Sequence, residues 1–238
     1  TKDGKFDFND FDEKLQKFGH KLKLVAVPHV SNALGSKLDL KKLVQKVQKF
    51  TPKSRILVDG AQSAPHLPIN FEKMNVDFFV FSGHKMLGPM GIGGLLVREN
   101  ILKTGEMRPW LFGGGMIAQV HESHTNFQDD LSERFTPGTP DVASIVGLAE
   151  ASRYLSQLGM ENVHKHDSQL VAYALKKLAK IKNIEIVGPK DETRVGSVAF
   201  LYQGVHAHDV AQVLDSQGIA VRSGHHCTMP LHTSQNWV

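Results

Sequence analysis

Short, unbroken apolar runs, each stopping at a polar or glycine-bearing turn, constrain this chain most. Leu22–Val27, Arg55–Val58, Phe78–Phe81 and Gly91–Val97 are such segments. A strand with one wet face alternates polar and apolar residues, whereas a continuous short run suits a strand buried on both faces. Between the first two lies Leu38–Phe50, with Leu38, Leu40, Leu43, Val44 and Val47 at helical spacing and Pro52 ending the pattern. Glu99–Lys103 reads as a short helix start. Strand and helix signals in alternation predict an α/β fold, a mainly parallel sheet flanked by helices.

The character changes at Phe112–Pro140, where Gly113-Gly114-Gly115, many polar residues, Pro137 and Pro140 predict a long ordered loop. Helical patterns follow at Val142–Leu158, Glu161–Ile181 and Ala207–Gln217, the last stopped by Gly218. Strands are expected at Ile184–Val187, Ser197–Leu201 and Ile219–Val221. A boundary near Leu158-Gly159 divides the chain into 1–158, a large domain, and 159–238, a smaller α+β domain.

Composition removes several classes of function. The 238 residues contain 41% hydrophobic and 22% charged side chains, an ordinary globular balance. No run approaches the roughly 20 apolar residues of a membrane helix, and the polar start Thr1-Lys2-Asp3-Gly4-Lys5 has no signal-peptide core. The net charge of +4 is spread over helix-spaced lysines without interleaved aromatics, so nucleic acid is not an expected partner. The single cysteine, Cys227, excludes an internal disulfide framework and a multi-cysteine zinc site. Together these features favour a reducing, cytoplasmic setting.

Polar residues follow the strand segments at the places where α/β sheets bind ligands, beyond the strands' carboxyl ends. Asp59 directly follows Ile56-Leu57-Val58. It reads either as a ligand-binding carboxylate in low dielectric or as a turn or cap residue. Phe78-Phe79-Val80-Phe81 delivers Ser82-Gly83-His84-Lys85. Lys85 is either a partly desolvated, nucleophilic amine or a lysine that snorkels to water. Pyridoxal phosphate needs a lysine, an acid at its ring nitrogen, a donor near its ring oxygen and a phosphate cup. Lys85, Asp59, Gln62 and the Ser82/His84 pair supply one of each. A third motif, Arg222-Ser223-Gly224-His225-His226-Cys227, sets the cysteine among cationic and donor groups that favour its thiolate. The other reading of Cys227 is an inert buried thiol. A metal reading of His225, His226 and Cys227 is weak, since adjacent residues rarely supply three ligands.

In combination these segments resemble the SufS/CsdA-type cysteine desulfurases of the class V aminotransferase group, enzymes of the PLP-dependent fold type I. Further matches are His29-Val30-Ser31-Asn32-Ala33-Leu34-Gly35, Gly113-Gly114-Gly115-Met116-Ile117 and Phe135-Thr136-Pro137-Gly138-Thr139-Pro140. The resemblance runs in order from about residue 5 to about residue 231. It implies pyridoxal 5'-phosphate as cofactor, with Lys85 as the Schiff-base lysine. It implies that Asp59 pairs with the ring nitrogen, that Gln62 bonds the ring oxygen and that Ser82 and His84 hold the phosphate. Thr139, beside Gly138, is implied to reach the phosphate of a neighbouring subunit, hence a homodimer. Asn32 and Arg222 match substrate-contacting positions, and Cys227 matches the cysteine that takes sulfur from L-cysteine as a persulfide.

The same resemblance implies a sulfur acceptor of the SufE/SufU type and a role in iron–sulfur cluster assembly. It also implies segments outside the chain. A small-residue phosphate loop and a ring-stacking histidine are expected before residue 1, and a carboxylate-binding arginine is expected after the cysteine loop. His232–Val238 holds no arginine, so a fragment lacking both termini is expected. Two alternatives share most of these residues: a selenocysteine lyase or other class V enzyme, and a cofactor-free, inactive sulfur-transfer partner.

Overall fold

In the computed structural model the four apolar runs lie side by side in one sheet. The structure describes residue 1 and residues 3–237. The strands are β1 (Leu24–Pro28), β2 (Arg55–Asp59), β3 (Phe78–Ser82) and β4 (Gly93–Val97), in that spatial order. β1 pairs with β2 and β2 with β3 in parallel, whereas β4 runs antiparallel to β3. Parallel neighbours require a crossover. The first carries α2 (Leu40–Phe50) and the second carries the short α3 (Phe71–Met74). A further helix, α1 (Phe8–Phe18), precedes β1.

The core forms where α1 and α2 meet the sheet. Leu15 of α1 and Leu43, Val44 and Val47 of α2 pack with Val25, Val27, Ile56, Val58 and Phe79 of the strands. The α2 residues fall on one helical face, and Asp39 caps the helix by accepting the Lys42 N–H at 3.0 Å. β1 alternates buried and exposed residues, with Leu24 45% exposed. Its unbroken apolar run predicts burial on both faces. Instead, α1 and α2 cover the face that carries Val25 and Val27.

After β4 come α4 (Glu99–Lys103), the hairpin β5 (Ile117–Val120) with β6 (Thr125–Phe127), and α5 (Leu131–Arg134). The segment predicted as one long loop is therefore partly regular. Its strands are three and four residues long, and their pairing slips between Ile117 and Gln119, so no clean alternation marks them. Two long helices follow, α6 (Val142–Leu158) and α7 (Met160–Leu178), separated at Gly159, whose φ of +81° an L side chain rarely adopts. The chain then forms the antiparallel pair β7 (Ile184–Ile186) and β8 (Phe200–Tyr202), then α8 (Ala207–Ser216) and α9 (Met229–Gln235).

The strand expected at Ile219–Val221 does not form. The Ile219 N–H donates back to Leu214 O at 3.0 Å, closing the end of α8. Ile219 and Val221 stay exposed, and no described strand pairs with them. Apolar β-branched residues make a strand only where a neighbour can take their backbone groups.

The early and late parts of the chain share buried contacts. Val30 and Leu67 pack with Val195, and Ala33 and Leu34 pack with Val187. Arg194 is 2% exposed and donates to the carbonyls of Pro189, Ser197 and Val187. The Val195 N–H donates to Gly35 O at 2.8 Å, and the Lys37 N–H donates to Thr193 O at 2.9 Å.

Candidate active site

The parallel register brings three chain reversals to one edge of the sheet. Pro28 lies opposite Asp59, and Asp59 lies opposite Val80, two residues before Ser82. Backbone bonds continue past the strand ends: His29 N–H donates to Asp59 O at 2.9 Å and Gly60 N–H to Val80 O at 2.7 Å. Since paired strands run about 4.8 Å apart, the segments beginning at His29, Gly60 and Gly83 leave the sheet as neighbours. β4 runs the other way, so its start lies at this edge too, where Gly83 N–H donates to Ile92 O at 2.8 Å.

Glycine is required where these turns crowd the strands. A Cβ on Gly60 would fall 2.0 Å from Cζ of Phe79, a ring that is 1% exposed and cannot yield. On Gly83 it would come within 2.9 Å of the Ile92 carbonyl oxygen. The Asp59 and Ser82 ends are therefore held close to the backbone around them.

Asp59 is exposed, and its Oδ1 accepts the Ala61 N–H at 2.8 Å. The low-dielectric surroundings expected for it are not found; it forms the turn bond of the alternative reading, which leaves Oδ2 available. Gln62, half-buried, lines a cavity of about 350 Å³ with Val30, Ser31 and His66. Ser82 Oγ lies 2.8 Å from His84 Nδ1, so hydroxyl and imidazole act as one polar pair. Lys85 is half-buried in the 3-10 turn Gly83–Met86 that follows β3.

The cysteine loop comes to the same edge. Asn32 Nδ2 donates to the His226 carbonyl at 2.7 Å, across 194 positions of sequence. Cys227 is exposed, which removes the inert buried reading. His226 and Cys227 both adopt left-handed backbone, with φ of +52° and +62°. Two consecutive non-glycine residues in that region cost about 1–2 kcal/mol each, and such strain concentrates at functional sites. Thr228 Oγ1 steadies the loop by donating to His225 O at 2.7 Å. Burial first, and then the nearby Arg222, His232 and His225, push His226 below the ordinary histidine value. Arg222 itself is exposed.

Thr139 stands apart. It is exposed, beside Gly138, whose N–H donates to Gly114 O at 2.8 Å, and among the described residues no bond joins it to the strand ends. Sequence reasoning passed over His29. Its Nδ1 is buried without a partner, and burial, assisted by Lys37, pushes its pKa down to about 4. The signal was present, since His29 follows β1 as Asp59 closes β2 and Ser82 closes β3.

Comparison with known proteins agrees with this architecture. The family model described as aminotransferase class-V matches residues 1–237. A probable cysteine desulfurase of Staphylococcus aureus is 43% identical over 231 residues, covering 97% of this chain and 54% of that protein. A cysteine desulfurase of Haloferax volcanii is 44% identical over 230 residues, covering 97% of this chain and 52% of the relative. The chain thus spans about half the length of these curated relatives. Among solved structures, apo cysteine desulfurase from Thermococcus onnurineus NA1 superposes with a TM-score of 0.86 at 35% identity, over 99% of this chain and 57% of that one. The cysteine desulfurase CsdA of Escherichia coli gives 0.77 at 31% identity, over 90% of this chain and 52% of that one. With a family match along nearly its whole length and a fold shared with these enzymes, the chain belongs to the class-V aminotransferase family.

Proposed function

We propose that the chain carries much of the catalytic centre of a pyridoxal-phosphate-dependent cysteine desulfurase, which converts L-cysteine to L-alanine and leaves a persulfide on Cys227. One observation carries this reading: an amine, a carboxylate and an amide leave neighbouring turns at one sheet edge, and the Asn32 bond ties the sole cysteine's loop to that edge.

The donor set fits the cofactor. Lys85 offers the amine, Asp59 a carboxylate with one oxygen uncommitted, Gln62 an amide, and Ser82 with His84 a polar pair suited to phosphate. When bound, pyridoxal phosphate supplies an electron sink for bonds at the substrate's α-carbon. Asp59 would pair with the ring nitrogen and hold its proton, and Gln62 would donate to the ring oxygen. Lys85 would anchor the cofactor and, once displaced by the substrate amine, move the α-proton. Asn32 and Arg222 would orient the substrate. The Cys227 thiolate would attack the substrate sulfur, forming an S–S bond as the C–S bond breaks. The electron pair of that bond stays with the carbon fragment, which takes up protons and leaves as alanine. The exposure of Cys227 suits both that attack and delivery to an acceptor.

The partners follow from the same reading. Thr139 would serve the phosphate of a second copy in a homodimer. In support, Trp110, Leu111 and Phe112 are 89%, 63% and 68% exposed just before the glycine run to which the Gly138 loop is bonded. Large exposed apolar side chains in sequence mark interfaces. We read the sulfur acceptor as a SufE/SufU-type protein, the destination as iron–sulfur cluster assembly and the compartment as the reducing cytoplasm. No helix of the described residues is long and apolar enough to cross a membrane. The division into 1–158 and 159–238, at the Gly159 break, belongs to this reading.

The test is product analysis. The full-length protein that carries this chain, loaded with pyridoxal phosphate and given L-cysteine and a thiol reductant, should release alanine and sulfide in equal amounts. Cys227→Ser should lose at least about 99% of that release, the loss expected when a nucleophile is removed. Unchanged turnover by Cys227→Ser would remove the cysteine from its role.

A further inference from the structure

Besides the Asn32 bond, a second tie joins the site edge to the later part of the chain. Asp59–Leu67 is a tight, nearly helical turn: the Ser63 and Ala64 N–H groups donate to Gly60 O, and the His66 and Leu67 N–H groups to Ser63 O. Ser63 at its centre is fully buried. At the far end of this turn, His66 Nδ1–H donates to Asp167 Oδ2 of α7 at 2.6 Å. Both side chains are only a quarter to a third exposed. The imidazole also faces Gly196, where an added Cβ would stand in ordinary contact, 3.4 Å from His66 Nε2. Gly196 has a φ of +72°, which disfavours a larger residue there. His66 thus stands between α7, to which it is hydrogen-bonded, and the loop that the Val195 N–H fastens to Gly35 O. Gln62 lies one helical turn earlier on the same segment and lines the cavity beside this junction.

We propose that His66 and Asp167 form a positioning pair. It holds the Asp59–Gln62 turn in register with α7, and so fixes where the Gln62 amide and Asp59 carboxylate stand relative to the cysteine loop. Neither residue is assigned contact with cofactor or substrate. The role rests on the reading of Asp59 and Gln62 given above, but the mechanical coupling does not depend on it. A hydrogen bond with a carboxylate acceptor in a half-buried site is among the stronger single ties available to a turn of this size. Its loss frees the turn without emptying the core, because Leu67 keeps its contacts with Val30 and Val195.

Amide hydrogen exchange on the full chain tests the coupling without cofactor. Asp167→Asn should raise exchange at residues 61–67 by about tenfold, the scale of one lost charge-assisted bond. Exchange in α2 should stay unchanged, and Asp167→Glu should restore most of the protection. His66→Gln should reproduce the Asp167→Asn pattern. Unchanged exchange at 61–67 would overturn the proposal. So would a uniform rise across α2 and the turn together, which marks general destabilisation. With pyridoxal phosphate added, Asp167→Asn should displace the visible absorbance band of the loaded chain while Asp167→Glu keeps it; no displacement overturns the link to Gln62. Lys85→Ala separates the two ideas. If that variant keeps the same visible band, the cofactor reading fails, yet the exchange result still stands or falls alone.

Discussion

His29 sits in an environment far from an imidazole's ordinary one. Its Nδ1 is buried without a partner, and its pKa is pushed from 6.5 down to about 4, chiefly by burial, so the imidazole is neutral in the fold at pH 7. In the unfolded chain it titrates normally. Between these two values the unfolded state therefore binds the extra proton and the folded state does not. Stability is full above about pH 6.5 and is lost as pH falls toward about 4, by roughly 3 kcal/mol for this group. Urea titrations at pH 7 and pH 4.5 should show that acid-side loss in the parent chain and a smaller one in His29→Leu. An equal loss in both would show that His29 is not the group involved. Asn32 makes a second prediction at this scale. Asn32→Ala removes the one side-chain bond that, among the described residues, runs from the β1 end to the cysteine loop. Alkylation of Cys227 by iodoacetamide should change by about threefold or more, as expected when a net hydrogen bond of about 1 kcal/mol restrains the loop; an unchanged rate would show that the bond does not restrain it.

At the scale of elements, α2 shows which forces dominate. Leu43 is fully buried between helix and sheet, whereas Asp39 contributes one exposed cap bond. Leu43→Ala should destabilise by about 3 kcal/mol through lost transfer energy and a cavity. Asp39→Ala should lose about 1 kcal/mol. Denaturant midpoints in that order support packing as the main support of the helix; the reverse order contradicts it. The same contrast explains what was legible beforehand. α6 runs from Val142 to Leu158 as its pattern predicts, because Asp141 caps it and Gly159 ends it. α2 and the four sheet strands were readable for similar reasons: period, caps and turn glycines lie within a few residues. α1 was missed because Phe8, Phe11 and Leu15 are separated by Asn, Asp, Glu and Lys, which leaves a thin apolar stripe. The β5–β6 hairpin escaped because its register slips, and Ile219–Val221 was overcalled because nothing local reveals whether a strand has a partner.

For the whole molecule, the informative contacts join residues far apart in sequence, and none of them was readable from motifs. The motifs named Asp59, Gln62, Ser82, Lys85 and Cys227, and strand-end logic expects the first four at one sheet edge, where the register sets Asp59 opposite Val80. The ties from Asn32 to His226 and from His66 to Asp167 arise only once the chain has folded back on itself. Arg194 is different, a buried cation satisfied by carbonyls only three to seven positions away, which folds its own loop on itself. Replacing it by Met would strand those acceptors in the interior and should lower stability by roughly 3 kcal/mol; a neutral result would mean that water or rearranged backbone takes its place. The central claim nonetheless concerns one covalent attachment. Loading the full-length protein that carries this chain with pyridoxal phosphate, fixing it with borohydride and mapping the labelled peptide by mass spectrometry tests it most directly. A phosphopyridoxyl group on Lys85, absent from Lys85→Ala, is the expected result; label spread over surface lysines, or undiminished in Lys85→Ala, would contradict the account.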